Sequence, residues 1–169
     1  NIRSGVTFHD GTPLDAEAVK VNFDRILDAK KPVKRRTFYT DITTVRAVDS
    51  STVQFVTRRP FGPLPALLAT TGASIVSPKA LRELGDKFAT QPVGSGPFMF
   101  VREEWVPGSK VVYRKNPNYR ARSDAPDGFA GAKLAKVDRV EWLVIPDSNT
   151  AVQALIKGDG YPTYHMAVV

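Results

Sequence analysis

Two imidazoles, His9 and His165, and no cysteine set narrow limits on the chemistry open to this chain. Without a thiol there is no cysteine nucleophile, no thiolate-bound zinc and no disulfide framework. His9 stands beside Asp10, and an imidazole next to a carboxylate can move a proton or hold a metal ion. The plainer reading is a polar strand-to-turn corner. It is favoured because no second His or acidic motif stands nearby, and protein metal sites are built from clustered ligands. Serines are plentiful, yet none sits in the strained elbow that exposes a nucleophile. Gly94-Ser95-Gly96 lacks the Lys-Ser/Thr of a phosphate loop and the third glycine of a dinucleotide fingerprint. No catalytic constellation emerges. The expectation is a protein that is not an enzyme and needs neither cofactor nor metal.

Charge points to a second chemistry. The 169 residues carry 24 Lys and Arg against 17 Asp and Glu, a net charge of 24 − 17 = +7. The densest basic cluster is Lys30, Lys31, Lys34, Arg35 and Arg36, with Phe38 and Tyr39 beside it. Cations interleaved with aromatics can hold phosphates and stack bases. The other cations are scattered, at Arg58, Arg59, Arg114, Lys115, Arg120, Arg122, Lys133 and Lys136. That spread suits a solvated basic surface, which bears on solubility more than on any one partner. Nucleic-acid binding through residues 30–39 stays open as the alternative function.

The elements that position these residues follow from composition and spacing. With 42% hydrophobic and 24% charged residues, the chain has a globular composition rather than a disordered one. Its length suits one domain. No apolar run approaches the roughly 20 residues that span a bilayer. The longest, 64–69, is broken by Pro65. The first residue is Asn1 and no leader opens the chain, so localisation cannot be read from one.

Val6 and Phe8 alternate with polar neighbours, which predicts a short strand. Asp10-Gly11 then predicts a tight turn. Asp15 is placed to cap a helix reaching about Ala29, with Val19, Phe23, Ile26 and Leu27 on its inner face. Residues 42–48 and 53–57 read as a hairpin, with Val53 and Phe55 on one face. A short helix is expected around 66–69. Ser77-Pro78 reads as a helix start and Gly85 as its stop. Residues 91–98 are too rich in Gly and Pro to be the interior of an element, and mark the best internal boundary. Beyond it, 98–102 and 110–114 read as a second hairpin and 116–135 as an irregular loop. Residues 137–145 read as a central strand. Residues 150–157 read as a helix with Ala151, Val152, Leu155 and Ile156 inward. Residues 161–169 read as an apolar extended run.

The order of these segments carries a resemblance. The block from Val6 to Val19, with Phe8-His9-Asp10-Gly11-Thr12-Pro13 at its heart, is similar to the opening strand–turn–helix motif of the family 5 extracellular solute-binding proteins. These are the dipeptide, oligopeptide and nickel receptors of bacterial ABC importers. The run from Phe23 to Asp28 resembles the continuation of that helix. Ala73-Ser74-Ile75-Val76-Ser77-Pro78-Lys79-Ala80 matches another family block. Pro92-Val93-Gly94-Ser95-Gly96-Pro97-Phe98 resembles the family's Pro-Val-Gly-Thr-Gly-Pro-aromatic block. Asn116-Pro117-Asn118-Tyr119 matches its Asn-Pro-Asp/Asn-Tyr turn, with Arg120 where a Trp is usual. Residues 140–159 resemble its strand–helix unit ending in Gly-Glu/Asp.

The resemblance implies a mixed α/β fold, part of the first lobe of a two-lobed, class II periplasmic-binding-protein-like architecture. It divides the chain into a helix-and-hairpin subdomain at 1–91, part of the first-lobe sheet at 92–160, and a strand at 161–169 leading toward a second lobe. It implies a periplasmic protein or cell-surface lipoprotein, monomeric, that takes a small solute, a peptide above all, to the membrane subunits of an ABC permease, with no nucleic acid as partner. Gly158-Asp159-Gly160 runs into Tyr161 without the helix and strand that the family pattern leads one to expect, so the chain reads as part of a longer receptor with a stretch missing near Gly160. By the same resemblance Tyr164, His165 and Met166 lie beside the ligand cleft, and Arg35, Arg36 and Tyr39 lie in a loop that faces ligand in some relatives. A single jaw of the clamp should bind small ligands poorly.

Overall fold

A computed structural model describes residues 1–30, 34–128, 130–158, 161–163 and 166–168. The chain forms two compact units. Unit 1 comprises Asn1–Phe88 and Val93–Ser95, and unit 2 comprises Ala89–Pro92 and Gly96–Val169. The content of helix and strand is mixed in both, as the sequence predicts.

Unit 1 is built on helix α1, Ala16–Leu27. The Asp15 carboxylate caps it, accepting from the Ala18 amide at 2.8 Å, which satisfies one of the unpaired donors every helix start exposes. Val19, Phe23 and Ile26 are buried on one face. That face meets the hairpin of β1, Ile42–Ala47, and β2, Val53–Thr57, in which Val45 pairs with Phe55. The Asp49 carboxylate folds the turn between them, accepting from the amides of Ser51 and Thr52 at 2.7 and 2.8 Å. Tyr39, Ile42, Val45 and Ala73 complete the core. Phe23 stands edge-on to Phe55 at 4.9 Å between centroids and to Tyr39 at 5.6 Å, the arrangement ring quadrupoles favour. Helix α2, Leu64–Leu68, and helix α3, Pro78–Leu84, follow. Ser77 caps α3 by accepting from the Ala80 amide at 3.1 Å, and Gly85 ends it at φ 51°.

The expected strand at Val6–Phe8 does not form. Thr7 makes only an isolated bridge to Pro13, and the Phe8 amide donates to the Thr12 carbonyl at 2.8 Å. Alternation alone does not make a strand; a paired neighbour must take up its backbone groups.

Unit 2 is an antiparallel sheet. Strands β3, Phe98–Phe100, β4, Lys110–Lys115, and β5, Arg139–Val144, are joined by β6, Tyr161–Thr163, and β7, Met166–Val168, in the order β3-β4-β5-β7-β6. The strand read as central, β5, lies between β4 and β7. Residues 161–168 contribute two short strands rather than one run. Arg139 joins two carboxylates on this sheet, donating to Glu104 at 2.5 and 2.9 Å and to Glu141. Asn116 is buried. Its side-chain amide donates to the Gly96 carbonyl at 3.2 Å, its Oδ1 accepts from the Asn118 amide at 3.0 Å, and its own amide donates to the Pro97 carbonyl at 2.8 Å. The Asn-Pro-Asn-Tyr turn is thereby tied to the Gly-Ser-Gly-Pro segment.

Helix α4, Ser148–Ile156, starts where the Asp147 carboxylate accepts from the Thr150 amide at 2.8 Å. Its expected inner face needs correction. Ala151 is buried, but Val152, Leu155 and Ile156 are 50%, 41% and 70% exposed. An apolar stripe turns inward only where a partner lies over it, and these three keep much of their surface in water.

Candidate functional site

Arg35, Arg36 and Tyr39, read from the sequence as facing ligand, fall in one six-residue turn of 3₁₀ helix, Lys34–Tyr39. The turn is clamped by its own side chains. The Arg35 guanidinium donates to the Thr71 carbonyl at 2.6 Å, and Arg36 Nε donates to the Leu27 carbonyl at 3.2 Å. Tyr39 is 1% exposed and its Oη donates to the Leu67 carbonyl at 3.3 Å. Its ring is core and its hydroxyl is spent on the backbone. These two cations and one ring hold the 64–73 stretch to the end of α1. Met166 lies in β7 of unit 2. Tyr164 and His165 lie outside the described residues, as do Lys31 and residues 159–160, where a missing stretch was expected.

Close packing explains Gly72. A Cβ placed there would stand 2.8 Å from Tyr39 Oη and 3.2 Å from Thr70 Oγ1. The tyrosine ring is wedged edge-on against Phe23, so it cannot swing away. Gly72→Ala should therefore cost about 1–3 kcal/mol. In a Tyr39→Phe background the same change should cost about 1 kcal/mol less, because the clashing oxygen is gone. Urea unfolding of the four variants in a double-mutant cycle measures both quantities.

The nucleic-acid reading of residues 30–39 finds no support. Tyr39 has no face to offer a base, and Arg35 and Arg36 already donate to backbone carbonyls. Phe38 alone of the two aromatics is exposed.

Each unit carries a surface depression. In unit 1, an open depression of about 200 Å³ lies between the start of α1 and α3, with Asp15 and Glu17 on one side and Lys79 and Arg82 on the other. In unit 2, about 410 Å³ is lined by Pro97, Phe98, Tyr113, Val140 and Trp142. Phe98, Tyr113, Val140 and Trp142 share one face of the sheet, as the pairings of Tyr113 with Val140 and of Phe100 with Tyr113 require. The first lining can meet charges of both signs. The second suits an apolar group, and supplies no charged partner for a peptide terminus. Neither depression involves the residues read from the sequence as ligand contacts. Period-two spacing of Phe98 with Phe100 and of Val140 with Trp142 was the signal for the second.

His9 and Asp10 also have places in unit 1. The His9 amide donates to the Gly94 carbonyl at 2.8 Å. The Asp10 carboxylate accepts from the Thr12 amide at 3.0 Å, from the Thr12 hydroxyl at 2.6 Å and from the Ser77 hydroxyl. Burial would raise the Asp10 carboxyl, yet these donors and the charge of Lys79 hold it below the ordinary carboxylate value. The turn reading of this pair is the one the geometry follows. Among the described residues no three His, Asp or Glu side chains are grouped as metal ligands. Nor is any described helix long and apolar enough to cross a membrane.

Comparison with known proteins places the whole arrangement. The family model described as bacterial extracellular solute-binding proteins, family 5 Middle, matches residues 1–163. The glutathione-binding protein GsiB of Escherichia coli O1:K1 is 31% identical over 158 residues, which is 94% of this chain and 28% of GsiB. The binding protein AgaA of A. tumefaciens R10, solved with agropinic acid, superposes with a TM-score of 0.77 at 29% identity, over 91% of this chain and 29% of that one. The oligopeptide-binding protein AppA of Bacillus subtilis, solved with a nonapeptide, gives a TM-score of 0.76 at 28% identity, over 94% of this chain and 30% of that one. The chain thus spans less than a third of the length of these relatives.

Proposed function

Because this chain belongs to the family 5 bacterial extracellular solute-binding proteins, we propose that it is the part of a receptor that helps to capture a small solute, a peptide above all, for an ABC importer. The observation that carries this reading is the family match across residues 1–163. Solved relatives with peptide and with agropinic acid share the fold at TM-scores of 0.76 and 0.77. The family and the relatives are solute-binding proteins, not enzymes.

In this reading the chain supplies part of one lobe, and a second lobe closes over the solute. The membrane subunits of the importer receive the closed form. The protein works in the periplasm or at the cell surface, as a monomer. Glutathione, peptides and opine-type conjugates such as agropinic acid are the solutes to test first, since relatives are known by them. Tyr164, His165 and Met166 remain the residues proposed to face the solute.

Recovery of the protein from its native source with an antibody raised against this chain, followed by native mass spectrometry, tests the proposal. The expected species is several times heavier than 18.5 kDa and carries a peptide-like solute of small mass. Calorimetry on the 169-residue chain alone should show only weak binding, because one lobe leaves a solute largely exposed to water. Micromolar affinity of that chain for a peptide overturns the two-lobe reading, and recovery with bound nucleic acid overturns the solute reading.

A further inference from the structure

Two separated stretches of unit 1 meet at one carboxylate, and a third is bonded to both of them. Asp10 sits in the opening turn and takes three donors, the Thr12 amide, the Thr12 hydroxyl and the Ser77 hydroxyl. Ser77 is fully buried. Its Oγ accepts from the Ala80 amide at 3.1 Å while its hydrogen goes to Asp10. Its own amide donates to the Val93 carbonyl at 3.0 Å. One residue along, the His9 amide donates to the Gly94 carbonyl at 2.8 Å. Residues Val93–Ser95 are the short piece that returns to unit 1 between two stretches of unit 2. Both backbone bonds that hold Val93 and Gly94 thus come from residues that Asp10 orders, one its chain neighbour and the other its hydrogen-bond donor.

We infer that Asp10 is an acid-released latch that holds residues 93–95 in unit 1. An ionised carboxylate only accepts, so it fixes the direction of the Ser77 hydroxyl and leaves Ser77 Oγ free to cap α3. Adding a proton turns one carboxyl oxygen into a donor and removes the charge that three donors stabilise. The charged side chain that faces Asp10 from α3 is Lys79, and His9 precedes it in its own turn. Residues 93–95 bring no titratable side chain. The sign follows from the donors. They lower the carboxyl in the folded chain, so the latch is closed above the ordinary carboxylate range near pH ~4. It opens as pH falls through the lower folded value.

Hydrogen exchange at the His9 and Ser77 amides of the full chain, corrected for the intrinsic rate at each pH, tests the latch. The Phe23 amide in α1 serves as the reference for global opening. Between pH 5 and pH 2.5, protection at His9 and Ser77 should fall about severalfold while Phe23 keeps its own, because local opening costs less than global unfolding. Asp10→Asn should remove that pH step. Thr12→Val keeps the backbone donor and removes the hydroxyl, so it should move the step to higher pH. Protection that is unchanged at pH 2.5, or lost only in step with Phe23, overturns the inference. So does an Asp10→Asn chain with the native step. Should Asp10→Asn fail to fold, an unshifted step in Thr12→Val overturns the inference by itself.

Discussion

Phe23→Ala should lower the stability of unit 1 by about 4 kcal/mol, the largest loss expected from any single truncation here. Phe23 is 1% exposed and is where three elements meet. It projects from α1, packs edge-on against Phe55 of β2 at 4.9 Å, and packs edge-on against Tyr39 at 5.6 Å. Truncation removes the transfer energy of the ring, leaves a void between helix and hairpin, and cancels two aromatic contacts of about 0.5–1.5 kcal/mol each. A domain of this size has only about 5–15 kcal/mol to lose, so the variant stands close to unfolding at 37 °C. Both tryptophans, Trp105 and Trp142, lie in unit 2. Urea unfolding is therefore best followed by far-ultraviolet circular dichroism. Phe23→Leu keeps most of the volume and should cost about 1.5 kcal/mol. If Phe23→Ala costs under 1 kcal/mol, the helix and the hairpin do not share one core.

What the sequence discloses here is local. The Asp15 cap, the spacing of Val19, Phe23 and Ile26, and the Ser77-Pro78 start each fix a few neighbouring residues, and each element forms where its spacing puts it. The hairpin is legible for the same reason. Relations across the chain are not. Tyr39 stands in a basic stretch and reads as a residue facing ligand, yet its ring is needed to close the core beside Phe23. The stripe of Val152, Leu155 and Ile156 reads as inward, yet all three side chains are exposed. The family blocks were legible as blocks, but their work was not. His9, Asp10, Ser77, Val93 and Gly94 come from three of them, and they hydrogen-bond across those blocks, Ser77 to Asp10 and Val93, His9 to Gly94. Asn116 ties a fourth block to Gly96 in the same way. Residues that set a backbone path persist in a pattern as strongly as residues that touch a solute, and spacing cannot separate the two.

Asn22 is the clearest case, and Asn22→Leu should destabilise unit 1 by about 3 kcal/mol. The residue sits four places after Ala18 and four before Ile26, in the middle of the apolar stripe of α1, and it is 1% exposed. A buried polar group in such a stripe must have partners. Its amide nitrogen donates to the Ala18 and Val76 carbonyls, both at 2.8 Å, and its Oδ1 accepts from the Val76 amide at 3.2 Å. The side chain thus pairs with Val76 as a neighbouring strand would, and fastens the approach to α3 onto α1. Leucine has the same branching and is the larger side chain, so no cavity opens, and the loss comes chiefly from the Val76 amide and carbonyl left facing carbon. Asn22→Asp separates donor from acceptor. Its carboxylate would face two carbonyls, so burial and repulsion would raise its pKa in the folded chain. A raised carboxyl stabilises the fold only while protonated, so this variant should be weakest at pH 7 and recover part of its loss toward pH 4, opposite in sign to the latch at Asp10. Urea unfolding of the three chains at both pH values decides it. An Asn22→Leu chain within 1 kcal/mol of the native one, or an Asn22→Asp chain that is no weaker at pH 7 than at pH 4, would show that α1 is held by its apolar face alone.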